Sequence, residues 1–312
     1  MKRIRLVPDG TNIDFMKARF VCFAVGIVVI LGSFVLFATK GLNYGIDFRG
    51  GTLIELRMPT TPDFGELRSK VGNLGLGEVT LQGFGEPTDV LVRVQAQEDG
   101  EKGNQRAIAT LREAMGSDVD FRRVESVGPT VGQELRAAGL WAVIAAVVAI
   151  LVYVTMRFEW QFGLGAVIGL LHDVIAIVGL FSLLGLDFDL TTLAAILTMG
   201  GYSINDKVVV YDRIRENLRK YKRMELRELL NKSVNDTLSR TVMTSITVML
   251  AIAAMLAFAG PVIRNFNLAM LVGVVVGTYS SIFVAAPLLI YLKLKRGAFD
   301  AEAKHAAEQA KP

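Results

Sequence analysis

Six stretches of the chain, residues 20–39, 137–156, 162–184, about 190–211, about 241–258 and about 266–292, run with almost no charged side chain. Each is close to the roughly 20 residues that cross about 30 Å of hydrocarbon at about 1.5 Å of rise per residue. An apolar fraction of 52% and a mean hydropathy of +0.43 exceed what a water-soluble core requires, so a membrane-embedded helical bundle is expected. The sixth stretch is rich in small residues (Gly273, Gly277, Ser280, Ser281, Ala285, Ala286) that let neighbouring helices approach closely. The first is too long for a cleaved signal and no A-x-A-like site follows it, so it is expected to remain as an anchor.

The connections between these stretches differ in sign, and that orients the chain. Lys2, Arg3, Arg5, Lys17 and Arg19 precede the first; Arg213, Arg215, Arg219, Lys220, Lys222, Arg223, Arg227 and Lys232 lie between the fourth and fifth; Lys293, Lys295 and Arg296 follow the sixth. The opposite connections are acidic or nearly neutral, with Asp187 and Asp189 in one and only Arg264 in the other. The positive-inside rule therefore predicts six spans with both termini cytoplasmic. The segments are a cytoplasmic N-terminus (1–19), a first helix (20–39), an external domain (40–136), five further helices (137–292) with a cytoplasmic loop at 213–239, and a cytoplasmic tail (293–312). The overall charge of +4 reflects that topology, and nucleic-acid binding is a poor reading of it. Within the loop, Leu226, Leu229, Leu230 and Val234 share one helical face, which suits either a helix lying on the membrane surface or a solvated linker helix.

The external segment from Gly41 to Glu134 carries ten Lys/Arg against fifteen Asp/Glu and reads as an acidic folded domain. "GTLIELRM" alternates like a strand, and Phe64, Leu67, Val71 and Leu74 recur at helical spacing. "EVTLQGF" and "DVLVRVQ" flank the turn-prone "GEPT", Ile108, Leu111 and Met115 mark a second helix, and "DVDFRRVE" is a last strand. The order βαββαβ predicts a ferredoxin-like sheet with two helices on one face. The expected fold class is therefore a mainly α membrane protein, a six-helix bundle with a periplasmic α+β domain.

Cys22 is the only cysteine, which excludes an intramolecular disulfide, and His172 and His305 are too few to build a Cys/His metal site with it. The sequence holds no G-x-x-x-x-G-K-[ST] for direct ATP use. Chemistry is instead expected from carboxylates inside the spans, which are costly unless paired, hydrated or protonated. Asp173 follows His172 in the third span. Asp206 lies sixteen residues from Leu190, about 24 Å along a helix, and Arg240 eighteen from Phe258, about 27 Å, so consecutive antiparallel spans can bring them face to face. Desolvation and an approaching guanidinium act in opposite senses on such a carboxylate, so a small helix movement would switch its protonation. Blander readings stand beside this: an interfacial Asp206 if the fourth span ends at Tyr202, Arg240 as an anchor at the phosphates, His172–Asp173 as a bundle-closing hydrogen bond, Gly200–Gly201 as a packing seam, and Lys207 reaching to the inner surface.

Four blocks in order, "GLNYGIDFRGGTLIEL", "VGPTVGQELR", "LLHDVIAIVGLFSLLGLDFDLTTLAAILTMGGYSINDKVVVYDRIREN" and "SRTVMTSITVML", resemble SecF, the smaller half of the bacterial SecDF protein-export factor, over about residues 19–291. The resemblance implies a resistance-nodulation-division fold, paired with SecD into a twelve-span unit in the inner membrane. It implies association with the SecYEG channel, functional linkage to the SecA ATPase, YajC and YidC as further partners, contact with unfolded preprotein and membrane lipids, and a proton gradient in place of a cofactor or an enzymatic reaction. It carries proton coupling onto Asp206 and the functional arginine onto Arg240; beyond the resemblance, Asp173 and Asn205 are expected to assist. Lys207 departs from the small polar residue the family has at that position, which bears on the pH at which protons are taken up. Two other expectations remain open: a proton-driven exporter of small molecules or lipids, and a scaffold whose buried charges are structural.

Overall fold

The computed structural model describes residues 7–8, 11–258, 260–292 and 294. Lys2, Arg3, Arg5, Lys293, Lys295, Arg296 and His305 lie outside the described residues. Long helices dominate: α1 (Arg19–Lys40) precedes a two-residue strand β1 (Asn43–Tyr44) and a short helix α2 (Ile46–Arg49). A small domain follows, with β2 (Gly51–Arg57), α3 (Phe64–Gly72), β3 (Val79–Gly83), β4 (Asp89–Val94), α4 (Glu101–Met115) and β5 (Asp120–Val127). The bundle resumes with α5 (Pro129–Arg157), α6 (Trp160–Leu184), β6 (Asp187–Phe188), α7 (Leu190–Lys220), α8 (Leu226–Phe258) and α9 (Arg264–Ser280), which continues through a π turn (Ser281–Ala285) into α10 (Ala286–Tyr291).

Among the described residues, five helical stretches are long and apolar enough to cross a membrane: α1, α5, α6, α8 and the α9–α10 rod. The fourth expected span, α7, is absent from that set because polar and charged side chains, Asp206 and Lys207 among them, interrupt its apolar residues. It is nevertheless enclosed, packing against α6, α8 and α9. The surface helix considered for Leu226–Val234 is not a separate element. These residues begin α8, which runs unbroken for 33 residues, and Leu229, Leu230 and Val234 are buried in the core at that end. Phe15 and Met16 of the N-terminal segment fill the same core, and Asn235 holds the segment by accepting from Ile13 N (2.8 Å) and donating to Ile13 O (2.9 Å).

The small domain has the βαββαβ element order, and its four strands lie in the order β3–β4–β2–β5, all antiparallel. Period-two alternation puts Ile54, Leu56, Val90, Val92 and Val94 on one face, buried against Leu67 and Val71 of α3 and Ala107 and Leu111 of α4. Across β2 and β4, Arg57 makes a two-pronged ion pair with Asp89, Nε to Oδ1 at 2.7 Å and one terminal nitrogen to Oδ2 at 2.8 Å. That pair holds the Asp89 carboxyl below the usual carboxylate range.

The domain is knitted to one end of the bundle. β1 and β6 pair in parallel, Asn43 with Asp187 and Tyr44 with Phe188, joining the two loops that leave α1 and α6. Asp189 caps α7 by accepting from Thr192 N (2.7 Å), and Asp47 accepts from Leu190 N (2.9 Å). Burial raises the Asp47 carboxyl above its ordinary value, against the opposing pull of that amide. Arg93 of β4 reaches down to Asp187 (2.8 Å) and donates to Asn43 Oδ1 (3.2 Å). Gly50 and Gly51 carry the chain through this joint at φ 75° and 121°; a Cβ at Gly51 would lie 2.5 Å from Val94 O, so only glycine fits.

Candidate functional site

The centre of the bundle is polar. Asp173 on α6 and Lys207 on α7 are both 0% exposed and form an ion pair of 2.9 Å. The approach is set by Gly169, one turn before Asp173, where a Cβ would stand 2.5 Å from Lys207 Cε. Lys207 has three N–H donors, and all three are used, on Asp173 Oδ2, on Ser203 Oγ and on Ser280 Oγ (2.9 Å). Ser203 (2.6 Å) and Ser280 (2.9 Å) also donate to Asp173 Oδ2. His172 Nδ1 lies 3.1 Å from Asp173 Oδ1, and its Nε2 is buried without a hydrogen-bond partner. The cluster thus ties α6, α7 and α9 together at the residue where α9 passes into its π turn, a distortion that recurs at functional sites.

Asp206 precedes Lys207 and points elsewhere, since successive helical residues are turned about 100° apart. It is 7% exposed. Its Oδ1 accepts from Thr241 Oγ1 of α8 (2.7 Å); its Oδ2 is buried without a hydrogen bond of normal geometry, and the Ser281 side chain of the π turn lies beside the carboxylate. The two adjacent charges therefore make different bonds: Lys207 to α6 and α9, Asp206 to α8, with Ser281 of the π turn beside it.

The sequence-predicted residues are only partly brought together. Arg240 is exposed on α8 and bonds neither oxygen of Asp206, so the expected Asp206–Arg240 pair is not formed, although Arg240 adjoins the Thr241 that does bond. Asn205 is exposed. Lys207 does not reach to the membrane surface; it is enclosed, because Asp173 compensates its charge. Sequence reasoning missed Ser203, Ser280 and Thr241. Ser203 and Lys207 stand four apart, on one helical face, which was the available signal. Nothing in the sequence announced that Ser280 meets them.

A bundle of apolar helices closing around a buried ion pair and a separate buried carboxylate, with a small sheet domain at one end, defines a polytopic membrane protein. The description "Protein export membrane protein SecD/SecF, C-terminal" matches residues 107–295, and "SecD/SecF GG Motif" matches residues 35–58, which include Gly50 and Gly51. The chain is 45% identical over 288 residues to the protein translocase subunit SecF of Rickettsia akari, covering 92% of this chain and 94% of that protein. It is 46% identical over 309 residues to that of Rhodobacter capsulatus, covering 94% and 93%. The crystal structure of SecDF from Thermus thermophilus, described as a translocon-associated membrane protein, matches with a TM-score of 0.84 at 38% identity over 93% of this chain. The match covers 40% of that longer polypeptide. A SecDF structure in a super-membrane-facing form matches with a TM-score of 0.69 at 39% identity. The chain belongs to the SecF family.

Proposed function

We propose that this chain, a SecF-family subunit of the Sec protein translocase acting with SecD, uses the proton-motive force to promote preprotein translocation and release. The observation that carries the reading is Asp206, a carboxylate out of water with one oxygen on Thr241 and the other without a hydrogen bond of normal geometry. The neighbouring Lys207 gives Asp206 no hydrogen bond, because all three of its donors are engaged in the Asp173 cluster. Gaining or losing a proton at Asp206 changes the charge at the α7–α8 contact and so biases how those helices pack. One proton crossing 100 mV supplies about 2.3 kcal/mol, enough to shift a two-state element whose states differ by a few kcal/mol. Arg240, one residue from Thr241, is the cation that would approach Asp206 in the alternative arrangement, with Asp173 holding Lys207 fixed and Asn205 at the exposed side.

The finer topology belongs to the same proposal. α7 serves as a sixth span, both termini face the cytoplasm of the bacterial inner membrane, and the ferredoxin-like domain stands in the periplasm, where it meets unfolded preprotein. SecYEG is the channel it assists, SecA the ATPase that acts before it, and YajC and YidC are further neighbours; no cofactor or enzymatic step is required. The test is preprotein movement in vesicles carrying the translocase and both halves, with a proton gradient imposed. Asp206→Asn should keep assembly and lose the gradient-dependent part; normal stimulation by the gradient in that variant would refute the proton role. The fully bonded Asp173–Lys207 pair favours a second reading, a scaffold with purely structural charges, which wins if Asp206→Asn and Arg240→Ala both leave gradient-driven export intact.

A further inference from the structure

A cavity of about 510 Å³ opens between α5, α6 and α7 at the sheet-domain end of the bundle. Tyr44, Phe48 and Phe188 roof it, and its walls are aliphatic, reaching down to Val174. Arg136 is the one charged residue in its lining; it is exposed, and among the described residues it makes no hydrogen bond or ion pair. Gln133, one turn earlier on α5, stands beside it at the mouth.

The dimensions select the occupant. Val174 lies ten residues from Leu184, the sheet-domain end of α6, so the cavity descends about 15 Å, the hydrocarbon depth of one leaflet. Its volume of about 510 Å³ accommodates a hydrocarbon chain reaching that depth. The amides of an extended peptide would face apolar walls with no partners, at a large cost. An unpaired guanidinium at the top of a leaflet-deep apolar slot matches a phosphate joined to an acyl chain.

We propose that this slot is a phospholipid site, with the headgroup phosphate on Arg136 and Gln133, one acyl chain between α5, α6 and α7, and a preference for anionic lipid. Because the chain lies against Tyr44, Phe48 and Phe188, the lipid touches the β1–β6 joint that carries the sheet domain.

The test uses the complete chain with its SecD partner, stripped of lipid, reloaded from vesicles of equal phosphatidylglycerol and phosphatidylcholine, and weighed intact by native mass spectrometry. One phosphatidylglycerol per chain is expected to be retained. Arg136→Gln, at an exposed position, should lower the phosphatidylglycerol preference about fivefold, toward parity with phosphatidylcholine. Ala137→Phe, which projects a ring into the mouth, should remove both lipids while the complex stays monodisperse. Wild-type retention in both variants overturns the proposal. So does a photocrosslinker at Leu140 that captures polypeptide, from the partner half or a preprotein, in place of lipid.

Discussion

Lys207 and Asp206 are chain neighbours in opposite situations, and the difference decides what each can do. Lys207 is held by an anion and two hydroxyls; removing it strands Asp173 in a dry core. Lys207→Met should therefore destabilise the bundle by about 3–5 kcal/mol, seen as a lowered unfolding midpoint in detergent, while Asp173→Leu combined with Lys207→Met recovers most of that loss. If the double variant is as unstable as the single, the cluster is not an ion pair in the sense described. The sequence made Asp173, Asp206 and Lys207 conspicuous as charges among apolar residues. It did not reveal which way each points, because that depends on helices distant in the chain. Asp89 carries a pH prediction. Its folded carboxyl sits below its unfolded value, so the Arg57 pair contributes stability above about pH 4 and loses it as pH falls through the lower folded value. Hydrogen exchange of β2 and β4 should accelerate over that acid range, and Asp89→Asn should flatten the dependence.

Among the elements, α7 shows most clearly how a tertiary partner overrides local composition. By apolarity it falls below the five helices long and apolar enough to cross a membrane, yet it is enclosed because α6 and α9 present small residues where its polar side chains need space. Gly169 is the sharpest case. Gly169→Ala must displace Lys207 from Asp173 or push α6 from α7, for a loss of about 1–3 kcal/mol, and the same unfolding measurement on the same complex checks it. The four domain strands were legible from alternation, as were the ends of α6 from its apolar run. Two features were not. The π turn at Ser281–Ala285 leaves no compositional mark, and the continuity of α8 was hidden because the cations before the apolar run read as a separate loop.

For the whole molecule, the sheet domain and the bundle meet through a small joint: the β1–β6 pairing, the Gly50–Gly51 passage, and Arg93 bonded to Asp187 and Asn43. Arg93→Ala should leave the core of the domain protected but accelerate hydrogen exchange at residues 43–51 and 187–190; unchanged exchange there would mean that Arg93 does not hold the joint. If the domain transmits force to a preprotein, this joint is the route from α7, whose first turn is fixed by Asp47 and Asp189. Driving that route needs a group that changes charge, and Asp206 is the candidate. The most direct test is proton entry into vesicles holding the complete two-half complex under an imposed pH gradient, compared for the wild type, Asp206→Asn and Asp206→Glu. Flux that vanishes in Asp206→Asn and survives, altered in its pH dependence, in Asp206→Glu is the predicted result; undiminished flux in Asp206→Asn would contradict the assignment.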